Sequence, residues 1–506
     1  MADFYTNVQT YGNNILYIGY RNGRKIKQKV PYSPSLFVPS NVESKFKTIK
    51  GDNLSKRKFN TIKDARDFVR KCEDIENFNL FGNDRFQYCF ISDMFKDEID
   101  WDFSKIKIAI FDIEVASDPD NGGYSKPENP FQPIVSIALK FLGIDKTYVW
   151  GYGDFSPASN VEYFKCKDEY SMYKSFLNFW EYESPDIISG WFIETFDIPY
   201  IVNRFRKILG EKETTRLSPW GRINDKKNRV NIGGGFSREE ITYSFLGIAT
   251  LDYVTLYKKY QPGGNSQESY KLDSIAKSEI GDSKVDYEGS LHTLYTTDYQ
   301  KFLEYNIQDV ALVELLDNKC KLFNLALILS YDSKTNYEDI FTQTRMWDSM
   351  IYDFLKKRNI QVPIGKIGED VGYEGAFVKE PIAGLHKWIV TLDATSLYPS
   401  IIMGKNIGPD TIVEYDDCSD ELKKIVASGV NVQNLLDKTL DLECLKDNQV
   451  TICPNGQFFR TDKKGFLTEM VEKVFAVRQD YKKSKIKAEQ EYELICSELK
   501  KRGIDY

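Results

Sequence analysis

The sequence predicts a multi-domain protein of the α/β and α+β classes, and three observations carry that reading. With 506 residues, the chain has room for about three domains at roughly 150 residues each. Its first hundred or so residues read as short strands broken by turns. From about residue 105 to about residue 320, strong strands alternate with helical patterns, as in a sheet covered by helices.

Taken in order, ILYIGYRNGRKIKQKV holds an Asn-Gly turn between two strand-like runs. SLFVP follows as a strand and TIKDARDFVRKCEDI as a helix. KIAIFDIEV is apolar and β-branched and opens the alternating region. IVSIALKFL is a second strand, and YSMYKSFLNFWEY repeats at helical spacing. DKKNRVNIGGGFSREEITYSFLG at 225–247 reads as a hairpin with a Gly turn. TRMWDSMIYDFLKKR is helical. KWIVTLDAT predicts a strand near 387–395, and the Lys-, Glu- and Arg-rich stretch from about 467 to 502 predicts a last helix.

Composition narrows the chemistry. Hydrophobic residues at 42% and charged residues at 28% are globular values, which sets disorder aside. A formal net charge of −7 does not argue for nucleic acid, but catalytic carboxylates add negative charge and a basic groove can be local. The eight cysteines contain no C-x-x-C pair. That argues against a zinc ribbon or a disulfide framework and for a reduced, intracellular compartment. The only histidines, His292 and His386, lie far apart, so hydrolytic chemistry is expected to rest on carboxylates and hard metals. No apolar run reaches ~18 residues and the N-terminus lacks a signal-peptide pattern. A soluble, cytoplasmic chain with no membrane partner is expected.

The candidate chemistry begins at Phe111-Asp112-Ile113-Glu114. On a strand, Asp112 and Glu114 share one face while Phe111 and Ile113 face the core. Such a pair makes half of a divalent-cation site, and distant partners give it weight. Asp197 follows Phe196 just before a helix-like stretch. Tyr305 and Asp309 stand four apart, on one helical face. Four carboxylates in this order, with a tyrosine one turn before the last, resemble the DEDD-type 3′→5′ exonuclease motifs of proofreading polymerases. The resemblance implies that Asp112 bridges two metals and that Glu114 and Asp309 complete the tighter site. Asp197 would serve the second metal, largely through water, and Tyr305 would orient the attacking water. Mg2+ is the implied cofactor, two ions per active site, with Mn2+ as a substitute.

A second motif is more specific. TLDATSLYPSIIM at 391–403 matches the D-x-x-S-L-Y-P-S-I motif of family B DNA polymerases. The chain most resembles the replicative polymerases of large T-even-type phages, from FYTNVQ and YSPSLFVPS to its last residues. That resemblance implies that Asp393 binds both polymerase metals. Ser396 and Leu397 would hold triphosphate oxygens on backbone N–H groups, and the Tyr398 ring would lie under the incoming sugar. GYEGAFVKEP resembles a loop that touches the DNA backbone through Tyr373, Gly375 and Ala376. Arg478 and Lys482, one helical turn apart, would contact the β- and γ-phosphates, whereas Lys483, Lys485 and Lys487 read as a solvated face.

The implied architecture is an RNase H-like exonuclease at 105–321, set between two parts of a β-rich N-terminal domain at 1–104 and 322–364. A partial polymerase palm at 365–465 and the start of the fingers, a helix, at 466–506 follow. The implied partners are primer-template DNA, single-stranded DNA and deoxynucleoside triphosphates, in the cytoplasm of an infected bacterium.

Two departures from the family pattern matter. Phe192 stands where an Asn usually follows Gly-Trp, which predicts a weakened or shifted exonuclease. Neither a K-x-x-x-N-S-x-Y-G motif nor a D-T-D motif occurs in the sequence. Polymerisation is therefore expected only with a C-terminal partner chain, unless the sequence is a truncation. Three function classes stay open: a polymerase subunit with proofreading exonuclease, a stand-alone exonuclease with a DNA-binding palm remnant, and a nucleic-acid-binding fragment that takes messenger RNA.

Overall fold

Asn22 and Gly23 both take left-handed backbone angles, φ 50° and 74°, the twist that a two-residue hairpin turn requires. The strands they join, Asn14–Arg21 and Arg24–Pro31, pair antiparallel with Arg21 opposite Arg24. Phe4–Tyr11 pairs along the other edge of Asn14–Arg21. A second sheet contains Ser35–Pro39, Asn53–Lys58 and Phe46–Thr48, and its outer strand, Ile360–Gln361, comes from far along the chain. The same late segment reaches the first sheet. The Tyr5 hydroxyl donates to the Thr335 carbonyl at 2.6 Å, and Asn336 exchanges two 2.9 Å hydrogen bonds with the Val8 backbone.

The computed structural model describes residues 3–504 except 74, 76–77, 118–122, 124, 234–235, 262–266, 286, 288, 366–379 and 394–395. Contacts divide the chain into two units, Met1–Thr48 with Asn53–Lys366, and Ile49–Asp52 with Ile367–Tyr506.

At the centre of the first unit lies a six-stranded mixed sheet. Its order is Val161–Lys165, Thr147–Gly151, Ile134–Phe141, Ile108–Val115, Ile187–Ser189, Ala249–Thr250. Ile108–Val115 is an inner strand, antiparallel to Ile134–Phe141 and parallel to Ile187–Ser189. Both faces of it are covered, so its residues are nearly all buried. Ala109, Phe111, Ile113 and Val115 pack with Phe176, Ile198 and Phe205 of the helices Glu169–Glu183 and Asp197–Leu209. Ile108 and Ile110 pack on the other side with Phe302, Leu303 and Val310 of the helix Tyr299–Cys320. The alternation thus turns Asp112 and Glu114 toward the helix that carries Tyr305 and Asp309. The expected hairpin forms from Ile223–Gly233 and Phe236–Phe245.

The second unit holds a small antiparallel sheet of Ile412–Val413, Phe458–Arg460 and Val450–Ile452, packed through Phe458 with Leu422 and Ile425. Leu397–Lys405 is helical, and Phe466–Lys501 is one helix of 36 residues. The strand expected near 387–395 is not formed among the described residues. Trp388, Ile389, Val390 and Leu392 are instead exposed. A strand needs a neighbour to complete its hydrogen bonds, and none of the described strands pairs with this one. No described helix is long and apolar enough to cross a membrane, and all eight cysteines are free thiols.

One carboxylate in the first unit makes stability depend on pH. Glu338 accepts from the Thr250 amide at 2.7 Å, yet burial pushes its carboxyl up to about 7, with Asp339 adding to the shift. Because the folded value lies above the unfolded one, the fold loses stability as pH rises from about 4.5 through about 7. Glu338→Gln should therefore raise stability at pH 8 by about 2 kcal/mol, once partial solvent access is allowed for. The gain should vanish at pH 4. Urea unfolding at both pH values measures it, and an equal effect at the two would refute the titration.

Candidate active site

Gly190 shows how tightly the site is built. A Cβ there would meet the Phe111 carbonyl oxygen at 2.5 Å and Ile193 Cγ2 at 2.4 Å. Only glycine lets the chain leave the strand Ile187–Ser189 this close to the neighbouring Asp112 strand. The next helix begins at Asp197, whose carboxylate accepts from the Ile113 amide at 3.1 Å. On the other side of the strand, the helix Tyr299–Cys320 is capped by Asp298, which accepts from the Lys301 amide. Tyr305 and Asp309 project from it toward Asp112.

Ligand oxygens of Asp112, Glu114 and Asp309 all lie within 4.8 Å of one another. Asp197 is buried beside them but outside this trio. Burial pushes the Asp112 carboxyl well above the usual carboxylate range, and Asp197, Asp309 and Glu114 push it further. Burial, then Asp309, takes Glu114 up to about 8. Burial takes Asp197 up to about 7 against the hydrogen bond from Ile113. Asp309 is raised by burial although Lys284 pulls it down. Four carboxylates sharing one buried place are unfavourable until positive charge joins them. One cation is already there. Lys284 Nζ donates to Asp309 Oδ2 at 2.5 Å and to the Tyr305 hydroxyl at 2.9 Å. Burial opposes its charge, but Asp309, Tyr305 and Asp112 outweigh that and raise its pKa. Asp309 Oδ1 stays buried with no hydrogen-bond partner among the described residues. All-oxygen donors, mutual repulsion and this free oxygen fit a hard divalent cation.

Three residues at this site were not singled out by the sequence reading. Asn306 donates to Asp112 Oδ2 at 2.7 Å and accepts from the Ser136 hydroxyl at 2.7 Å. It lies one turn before Asp309 on the same helix, so helical spacing could have found it. Lys284 lies in a loop with no periodicity to mark it. Asp252 reads as an ordinary helix cap and does cap Tyr253–Tyr260. Its carboxylate also accepts from the amides of Phe192 and Glu194, each at 3.1 Å. A cavity of about 360 Å³ opens onto Asp112, Phe192, Lys284, Tyr305 and Asp309.

The second unit places its own candidates less closely. Asp393, Leu397 and Tyr398 are exposed. Ser396 has a left-handed backbone (φ 51°) at the start of the helix Leu397–Lys405, and its hydroxyl accepts from Arg478 Nη1 at 3.0 Å. Lys482 is exposed one turn further along the same long helix. Lys485 and Lys487 are exposed and pair along the helix with Glu489 and Glu491. Tyr373, Gly375 and Ala376 lie outside the described residues.

A buried carboxylate cluster on a mixed sheet, followed by a separate unit carrying the SLYPS turn, defines a class that comparison with known proteins identifies. Residues 87–275 match the exonuclease domain of DNA polymerase family B, and residues 338–498 match DNA polymerase family B itself. The chain belongs to DNA polymerase family B. It is 34% identical to the DNA-directed DNA polymerase of Escherichia phage RB69 over 99% of this chain and 56% of that protein. It is 31% identical to the DNA-directed DNA polymerase of Enterobacteria phage T4 over 98% of this chain and 55% of that protein. A DNA polymerase delta catalytic subunit from Caenorhabditis elegans is 26% identical over 70% of this chain and 32% of its own length. The chain thus spans about half the length of the phage relatives it matches. The exonuclease match ends before Tyr305 and Asp309, which the fold brings to the same cluster.

Proposed function

We propose that this chain removes nucleotides from the 3′ ends of DNA and contributes part of a DNA polymerase active site. The convergence of Asp112, Glu114 and Asp309 with Lys284 and Tyr305 around one cavity supports the exonuclease reading most directly. Asp112, Glu114 and Asp309 would hold one Mg2+ and Asp112 with Asp197 a second. Bound there, the ions would neutralise phosphate charge and lower the pKa of the attacking water. Asn306 fixes the Asp112 carboxylate through one of its oxygens. Lys284 donates to the Tyr305 oxygen, which leaves the phenol hydrogen free for water or phosphate in the cavity. The long hairpin at 223–245 would help part primer from template.

In the second unit, Asp393 would be a metal ligand and the Ser396–Leu397 turn would hold triphosphate oxygens. Arg478 already reaches Ser396, so a phosphate bound at that turn would meet a guanidinium. Tyr398 would lie beneath the sugar, Lys482 would reach the outer phosphates, and Tyr373, Gly375 and Ala376 would meet the DNA backbone. Primer extension is proposed only where a further carboxylate faces Asp393, whichever polypeptide supplies it. We also propose the five-part domain division given above and, from the phage relatives, action in the infected host.

The test is digestion of a 5′-labelled single strand. With Mg2+ a ladder shortening from the 3′ end is expected, and chelation should stop it. A wild-type protein that leaves the strand intact would end the exonuclease reading. On primed template, Asp393→Asn should abolish any extension while leaving digestion unchanged, and extension that survives the change would remove Asp393 from the polymerase site.

A further inference from the structure

Phe192 has three properties that do not belong together in an ordinary packing residue. Its backbone is left-handed, with φ 63°, a region that bulky side chains rarely adopt. The residue remains 38% exposed. It lines the same cavity as Asp112, Tyr305 and Asp309.

The backbone is held in place from both ends. The Phe192 amide donates to Asp252 at 3.1 Å, and its carbonyl accepts from the Thr195 amide at 3.2 Å and the Thr195 hydroxyl at 3.1 Å. Asp252 is a positioning residue here, because its second oxygen takes the Glu194 amide and fixes the loop on either side of Ile193. A strained conformation held this firmly is kept for where it aims the side chain. Trp191, the preceding ring, is buried and stands nearly perpendicular to Phe192, at 89° with centroids 6.5 Å apart. Lys258 Nζ lies over the Phe192 ring at 5.3 Å and over Tyr270 at 4.9 Å. The result is a flat ring backed by an ammonium group at the edge of the carboxylate cavity.

We infer that Phe192 stacks on the nucleobase at the 3′ end of a single strand, with Lys258 placed to meet an adjoining phosphate. The inference rests on the exonuclease reading and adds what the site recognises: an unpaired base, by its face, without regard to base identity. Aromatic stacking suits that task because every base has a π-face. A paired end keeps its bases stacked in the duplex and would have to fray first.

The test compares two single strands, identical except that one ends in an ordinary nucleotide and the other in an abasic one. Phe192→Ala should raise KM for the first by roughly 10-fold or more and leave KM for the second unchanged, with kcat little altered. Phe192→Asn, which the left-handed backbone accepts, should give the same split with a higher Tm, and Phe192→Trp should restore binding. Independently of turnover, wild-type protein in calcium should quench 2-aminopurine placed at the 3′ end, and Phe192→Ala should not. Equal losses on both strands, or quenching unchanged in Phe192→Ala, would overturn the stacking role. Absence of digestion with quenching intact would instead count against the exonuclease reading alone.

Discussion

Replacing Asp112 by Asn should lower the rate of single-strand digestion by about 10³-fold or more, without lowering Tm in the absence of metal. The rate effect follows from position. Asp112 belongs to the trio with Glu114 and Asp309, and Asp197 is the charged neighbour that acts on it most, so its loss weakens both proposed cation positions. Cation stabilisation of a reacting phosphate is worth several kcal/mol, and each ~1.4 kcal/mol is tenfold in rate. The Tm effect follows from sign. The Asp112 carboxyl is held well above its usual range by burial and by three neighbouring acids. Its share of stability is therefore present at low pH and lost as pH rises, so at pH 8 the metal-free fold carries it as a cost. Asn keeps an oxygen for the Asn306 amide while removing the charge. Wild-type protein should gain Tm when Mg2+ is added, and Asp112→Asn should gain much less. A variant that still digests at the wild-type rate would show that the cluster is not catalytic.

Lys284→Met should lower kcat by about 10²-fold without raising the Mg2+ concentration needed for half-maximal rate. Lys284 makes two contacts with opposite consequences. Its 2.9 Å hydrogen bond to Tyr305 orients the phenol, and methionine cannot replace it. Its 2.5 Å contact with Asp309 puts a positive charge beside the carboxylates that would hold the cation. Removing that charge takes away a competitor for Asp309, so metal affinity should hold or improve while turnover falls. Titrating Mg2+ at saturating single strand separates the two effects. If kcat were unchanged and only the Mg2+ requirement rose, Lys284 would be supporting the metal site rather than Tyr305.

Much of this site could be read from residue order because its parts obey short-range periodicities. The two-residue alternation of a strand put Asp112 and Glu114 on one face, and the helical repeat put Tyr305 and Asp309 on another. Asn22-Gly23 marked its hairpin because few residues tolerate two successive left-handed conformations. The strand expected at 387–395 failed for a related reason. KWIVTLDAT has strand composition, but composition cannot supply the neighbouring strand, and those residues lie exposed. Lys284 was illegible because a lysine in an unpatterned loop looks like any surface lysine until the fold buries it against Asp309.

By itself the sequence determined the family, the order of the carboxylates along the chain and the faces on which they stand. It also marked Phe192 as a departure, without saying what the ring does. The tertiary structure alone decided which charges meet. It closed Asp112, Glu114 and Asp309 to within 4.8 Å, set Lys284 between Asp309 and Tyr305, and used Asp252 to hold Phe192 at the cavity. The physical reason is range. Backbone periodicity acts over a few residues and can be read from the chain, whereas burial and charge pairing act through space between segments that only folding brings together.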